Sequence, residues 1–204
     1  MKTKIIGLTG GSGAGKGEVC KAFLSFGVES VDTDKKSREV TQKGSKCLKE
    51  LVENFSDVIL TDCGELDRKK LAEIAFSSQS GLETLNKITH KYILNECKSV
   101  ILDMSNKGAK AVIIDAPQLF ESGFDKNCDI IISVIADSEK RLERIIKRDN
   151  ITLEKAEIRI KNQKNDDFLI ANSDYLIYNN SDCLNYSGIY TQVSKIYDKI
   201  SEKS

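Results

Sequence analysis

The stretch "IGLTGGSGAGKGEV", residues 6–19, decides the fold. Its lead-in, "KIIGLT" at residues 4–9, is a short apolar run rich in β-branched residues, which reads as a buried strand. Gly10, Gly15 and Lys16 then fall on the phosphate-binding pattern G-x-x-x-x-G-K-[ST], and Gly17 stands where that pattern has a hydroxyl. A strand that ends in such a loop and opens a helix aims several backbone N–H groups and the positive helix end at one point. Glycines at 10, 11, 13 and 15 permit close approach of phosphate oxygens, and Lys16 adds a mobile cation. The pattern predicts a nucleoside triphosphate site. Gly17 removes a direct magnesium ligand, but magnesium keeps several waters in such sites, so a water can take that position.

Working outward, "KGEVCKAFLSFG" spaces Val19, Ala22, Phe23 and Phe26 as one helical face, with Gly27 as its stop. "VESVD", 28–32, follows as a second strand, and this βαβ opening implies a parallel sheet. Further buried strands are expected at "AVIID", 111–115, "CDIIISVIA", 128–136, and "DYLIYN", 174–179, with a helix over 190–200. Residues 35–107 are mostly helical in pattern and too long for a plain crossover, so they are expected to form a helical acceptor-binding insertion. The charge-dense stretch 137–163 carries Arg141, Arg144, Arg148 and Arg159. It reads either as a solvated helical face or as a mobile arginine-bearing lid that closes on a triphosphate.

A chain of 204 residues suits one compact domain, here with core segments 1–34, 108–136 and 164–204. Lys plus Arg and Asp plus Glu are both 31, so no basic excess points to nucleic acid. No apolar stretch approaches the ~20 residues of a bilayer span and no leader precedes the first strand, which predicts a cytoplasmic protein that does not engage membranes. Six cysteines occur without a C-x-x-C pair and His90 is the single histidine, which argues against zinc and for reduced thiols. Nothing in the apolar pattern assigns an oligomeric state.

"SVDTDKKSRE" ends the second strand with Asp32 and Asp34 and sets Arg38 one turn on. Asp34 is either a helix N-cap or a carboxylate that takes a proton from, or orients, an attacking hydroxyl, and both roles are compatible. Asp115 at a strand end is either plain or a carboxylate that orders magnesium's waters.

In order along the chain stand "IGLTGGSGAGKGEV", "VDTDKKSREV", "GELDRKKLAEIAF", "LNKITH", "IIDAPQLFESG", "RLERIIKRD", "RIKNQ" and "SDYLIYNN". From about residue 4 to 180 this set resembles the dephospho-CoA kinases, which phosphorylate the 3'-hydroxyl of dephospho-CoA. The resemblance implies an α/β fold of P-loop NTPase type: a five-stranded parallel sheet flanked by helices, with the insertion and the lid. It implies ATP and Mg2+ as requirements, dephospho-CoA as substrate, and CoA and ADP as products. Gly11, Ser12, Gly13, Ala14, Gly15, Lys16, Gly17, Glu18 and Asn179 would bind ATP, and Asp115 would hold magnesium through water. Thr9, Asp34, Arg38, Arg68, His90 and Pro117 would contact the acceptor. Asp34, Lys16, Arg144 and Arg148 would act in catalysis, the two arginines by neutralising charge on the transferred phosphoryl group. Three positions depart from the family habit: Gly17 replaces Ser or Thr, Gln118 replaces the first Leu of "PLLFE", and Lys91 replaces a proline. A related P-loop kinase acting on a nucleoside monophosphate or another small alcohol, and a non-catalytic nucleotide-binding module, are the alternatives.

Overall fold

The computed structural model describes residues 3–180 and 186–202. Cys183 lies outside them. In chain order the elements are β1 (Lys4–Gly10), α1 (Lys16–Ser25), β2 (Glu29–Asp32), α2 (Thr33–Val40), α3 (Lys46–Phe55), α4 (Arg68–Ala75), α5 (Gln79–Asn106), β3 (Ala111–Asp115), β4 (Ile130–Ile135), α6 (Ser138–Asp149), α7 (Leu153–Lys161), α8 (Asp166–Ala171), β5 (Tyr175–Tyr178) and α9 (Tyr186–Glu202). The strands form one sheet in the order β2-β3-β1-β4-β5. β1 pairs in parallel with β3 and β4, and β4 with β5. The expected parallel five-stranded α/β sheet is therefore present, with strand ends shifted by one or two residues.

Cα packing divides the chain into two bodies, residues 1–30 with 104–204, and residues 31–103. In the first, β1 is central because its run is apolar on both faces. Ile6, Leu8, Ile113, Ile132, Val134 and Ile177 from the strands pack with Val19 and Phe23 of α1 and Val193 of α9. Each such side chain fully withdrawn from water contributes roughly 1.5–3 kcal/mol. Phe26, just past α1, stacks on Tyr190 and on Tyr197 with ring centroids 5.0 Å apart in both pairs. Gly27, at φ +79°, turns the chain from the helix into β2 as its position predicts.

The second body has its own small core of Cys47, Leu51, Ile59, Leu71 and Ile88, drawn from α3, α4, α5 and the turn between α3 and α4. Ser45 caps α3 by accepting from Leu48 N, and Asp67 caps α4 by accepting from Lys69 N and Lys70 N. None of the five described cysteines is in a disulfide. Burial pushes the Cys47 and Cys97 thiols up to about 11, so both behave as apolar packing groups. Among the described residues no helix is long and apolar enough to cross a membrane.

Candidate active site

The loop between β1 and α1 is held in an anion-binding shape. Gly15 is the N-cap of α1 in the left-handed region at φ 93°, with no side chain bonded to the helix end. The N–H groups of Lys16 and Gly17 have no backbone acceptor among the described residues, so the first turn of α1 presents unused donors along the helix axis. Gly13, at φ +78°, passes so close to α6 that an added Cβ would lie 2.5 Å from the Arg141 carbonyl oxygen. Only glycine fits there.

Lys16 Nζ forms an ion pair with the Asp115 carboxylate, and each side chain is 16% exposed. The sheet register causes this meeting: Leu8 lies opposite Asp115, and Ala116 N donates back to Leu8 O at 3.0 Å. Thr9 Oγ1 donates to Pro117 O at 3.3 Å along the same edge. A cleft of about 90 Å³ opens there, lined by Thr9, Gly10, Pro117, Gln118, Gln163 and Lys164 among others.

Arginines expected on a solvated face or lid divide into two kinds. Arg141 is buried: its Nε donates to Ser12 O at 3.0 Å and its Nη1 to Asp166 Oδ1 at 3.2 Å. Arg144 reaches Gly13 O and Asn179 O, each at 3.1 Å. Both therefore grip the carbonyl side of the loop. The solvated-face reading fails for Arg141 because its residue repeat with Ile145 puts it on the packed side of α6. Arg148 and Arg159, by contrast, both bind Asp149, whose carboxyl they hold well below the usual carboxylate range, Arg148 foremost.

Asn179 is buried and donates its side-chain amide to Ala14 O at 2.8 Å, so this predicted nucleotide contact braces the loop from just past β5. Gln163 was legible only as part of "RIKNQ", yet its Oε1 accepts from Ser12 N at 2.8 Å. Four side chains from three segments distant in sequence thus converge on this loop.

In the second body, the expectation that Asp34 caps α2 is corrected. Asp32 is the cap, accepting from Asp34 N at 2.8 Å and Lys35 N at 3.0 Å, because β2 ends one residue before the helix begins. Asp34 falls in the first turn and Arg38 in the last, both exposed. Arg68 opens α4 and donates to Thr41 Oγ1 at 2.7 Å. His90 sits half-buried on α5, where burial lowers its pKa and favours the neutral ring. Lys91 donates to Glu50 at 2.6 and 2.8 Å, and Tyr92 OH joins the same carboxylate at 2.7 Å. This ties α5 to α3 without proline. Glu18, also expected to bind ATP, pairs with Lys21 at 3.0 Å on the surface of α1.

A family model described as dephospho-CoA kinase matches residues 4–185. A dephospho-CoA kinase from Fusobacterium nucleatum is 40% identical over 200 residues, covering 98% of this chain and all of the relative. Among solved structures, a protein from Thermus thermophilus superposes with TM-score 0.82 at 23% identity, over 98% of each chain, which shows the shared fold. A dephospho-CoA kinase from Campylobacter jejuni gives TM-score 0.69 at 25% identity over 99% of each chain. The glycine loop, its lysine and the ordered motifs thus meet a match that spans nearly the whole sequence, and the chain belongs to the dephospho-CoA kinase family.

Proposed function

We propose that this chain transfers the γ-phosphoryl group of ATP to the 3'-hydroxyl of dephospho-CoA, releasing CoA and ADP. The observation that carries the reading is the loop at residues 10–17, with open N–H groups and a lysine at the head of α1, in a chain of this family. The hydroxyl oxygen forms a new bond to the γ-phosphorus as the bond from that phosphorus to the β,γ-bridging oxygen breaks, and the bridging oxygen leaves with its electron pair as part of ADP. Asp34 takes the hydroxyl proton or orients the hydroxyl for in-line attack. Lys16 leaves Asp115 for the outer phosphates, and the loop N–H groups hold the others. Arg38, Arg68, His90, Thr9 and Pro117 are proposed acceptor contacts. Arg144 and Arg148 are proposed to balance charge on the transferred group, Arg144 from beside the loop. Five thiols outside any disulfide support a cytoplasmic setting.

The residues also suit magnesium. Magnesium is usually held by one or two carboxylates together with water and the substrate's phosphates, and Asp115, paired with Lys16 of the loop, is a carboxylate placed for that. Asp115 would order its water shell, and the ion would supply charge neutralisation on the phosphates. Gly17 is exposed, and a Cβ there would meet nothing within 4 Å. Gly17→Ser is therefore expected to fold normally and to lower the half-saturating Mg2+ concentration about fivefold, the worth of ~1 kcal/mol from one added ligand. A magnesium titration of ATP turnover checks this.

The function is tested by coupled ADP release with ATP and Mg2+, comparing dephospho-CoA, adenosine, AMP and no acceptor, with products identified by mass spectrometry. Turnover with dephospho-CoA alone, yielding CoA, is the expected result. Turnover on AMP or adenosine instead would make it a nucleotide or nucleoside kinase. ATP binding with no turnover would make it a binding module.

A further inference from the structure

Most donors of the glycine loop are open. The N–H groups of Gly13, Gly15, Lys16 and Gly17 have no acceptor among the described residues, and Ala14 N is used inside the loop by Gly11 O at 3.0 Å. Ser12 differs. Its N–H goes to Gln163 Oε1 at 2.8 Å, and its Oγ accepts from Gln163 Nε2 at 3.3 Å. Arg141 Nη2 lies 3.4 Å from the same Oε1, so two donors on one side fix which amide atom is oxygen. Gln163 also lines the cleft that runs from Gly10 and Gly11 to Pro117.

We propose that Gln163 is a positioning residue for ATP. By holding Ser12 through both its N–H and its hydroxyl, it turns that residue toward the segment between α7 and α8. The remaining loop N–H groups then face a single anion. This rests on the reading of residues 10–17 as the ATP site, and it extends that site to a side chain 151 residues away.

Two variants separate positioning from mere bracing. Gln163→Ala removes both bonds to Ser12. Gln163→Glu keeps the shape and the acceptor for Ser12 N and Arg141, but loses the donor and sets a negative charge beside the polyphosphate. With the full chain, calorimetry of ATP with Mg2+ and no acceptor is expected to show affinity weakened about tenfold in Gln163→Ala and about 100-fold in Gln163→Glu. KM for ATP should follow, while kcat at saturating ATP and KM for dephospho-CoA stay within about threefold. Melting of Gln163→Glu should match the parent. ATP affinity unchanged in Gln163→Ala, or equal to the parent's in Gln163→Glu, overturns the proposal. Failure of the kinase reading shows separately, as a parent chain that binds ATP but does not turn over dephospho-CoA.

Discussion

Asp34→Asn is expected to lower kcat for phosphoryl transfer by about 10²–10⁴-fold, the usual worth of a positioned general base. Asparagine keeps the size and one acceptor oxygen but holds no proton taken from a hydroxyl at neutral pH. The fold should tolerate the change, because the cap of α2 is the neighbouring Asp32 and its two bonds survive. The change also removes one negative charge from the first turn, worth about 0.3–1 kcal/mol of helix-dipole interaction. Asp32→Ala supplies the contrast: it strips the cap at a cost of about 1 kcal/mol and leaves the acid itself in place. Rapid-quench single turnovers, with ATP affinity measured in parallel, separate the two variants. A single-turnover rate for Asp34→Asn within threefold of the parent would remove this residue from the chemistry.

Lys16→Met should be the most damaging single change in the loop. Its ammonium is the one cation carried by the loop itself, and a hydrogen bond to a charged group contributes about 1.5–3 kcal/mol, so ATP affinity should fall roughly 10–150-fold. Turnover should fall further, by about 10³ or more, because the same charge serves phosphate oxygens whose charge is redistributed in the transition state. The ligand-free protein should suffer as well. Removing the ammonium from a pair whose side chains are 16% exposed takes away one partner of a largely desolvated carboxylate, a loss of about 1–3 kcal/mol. The double variant Lys16→Met with Asp115→Asn tells the two effects apart: melting should recover while turnover stays low. Equal recovery of both would mean that the lysine serves stability alone.

How much of this could be read beforehand depends on the range of the interaction. Strands of a buried parallel sheet are near-continuous apolar runs, and "KIIGLT", "AVIID" and "CDIIISVIA" announce themselves for that reason. The glycine loop is equally local, since its whole signal lies within eight residues. Long-range bonds leave no such trace. Nothing near Lys16 points to Asp115, 99 residues away, and nothing near Asn179 points to Ala14, 165 residues away. Arg141 was hidden by its charged neighbours, although its four-residue spacing to Ile145 marks the packed face of α6 and was the available signal. Asp32 and Asp34 are equally good caps by type. The choice between them follows from the residue at which β2 stops pairing, which no local pattern specifies.

The bracing of residues 12–15 by Arg141, Arg144, Gln163 and Asn179 has a consequence for biosynthesis. A ribosome making about 5–20 residues per second delivers the glycine loop long before any of its supports exist. β1 also waits for both neighbours, since β3 and β4 begin only at residues 111 and 130. A nascent chain therefore carries the nucleotide motif well before its braces and acquires the ability to hold a nucleotide only after residue 179 has emerged. ATP is in this sense a late reporter of folding, blind to everything made between the loop and residue 179.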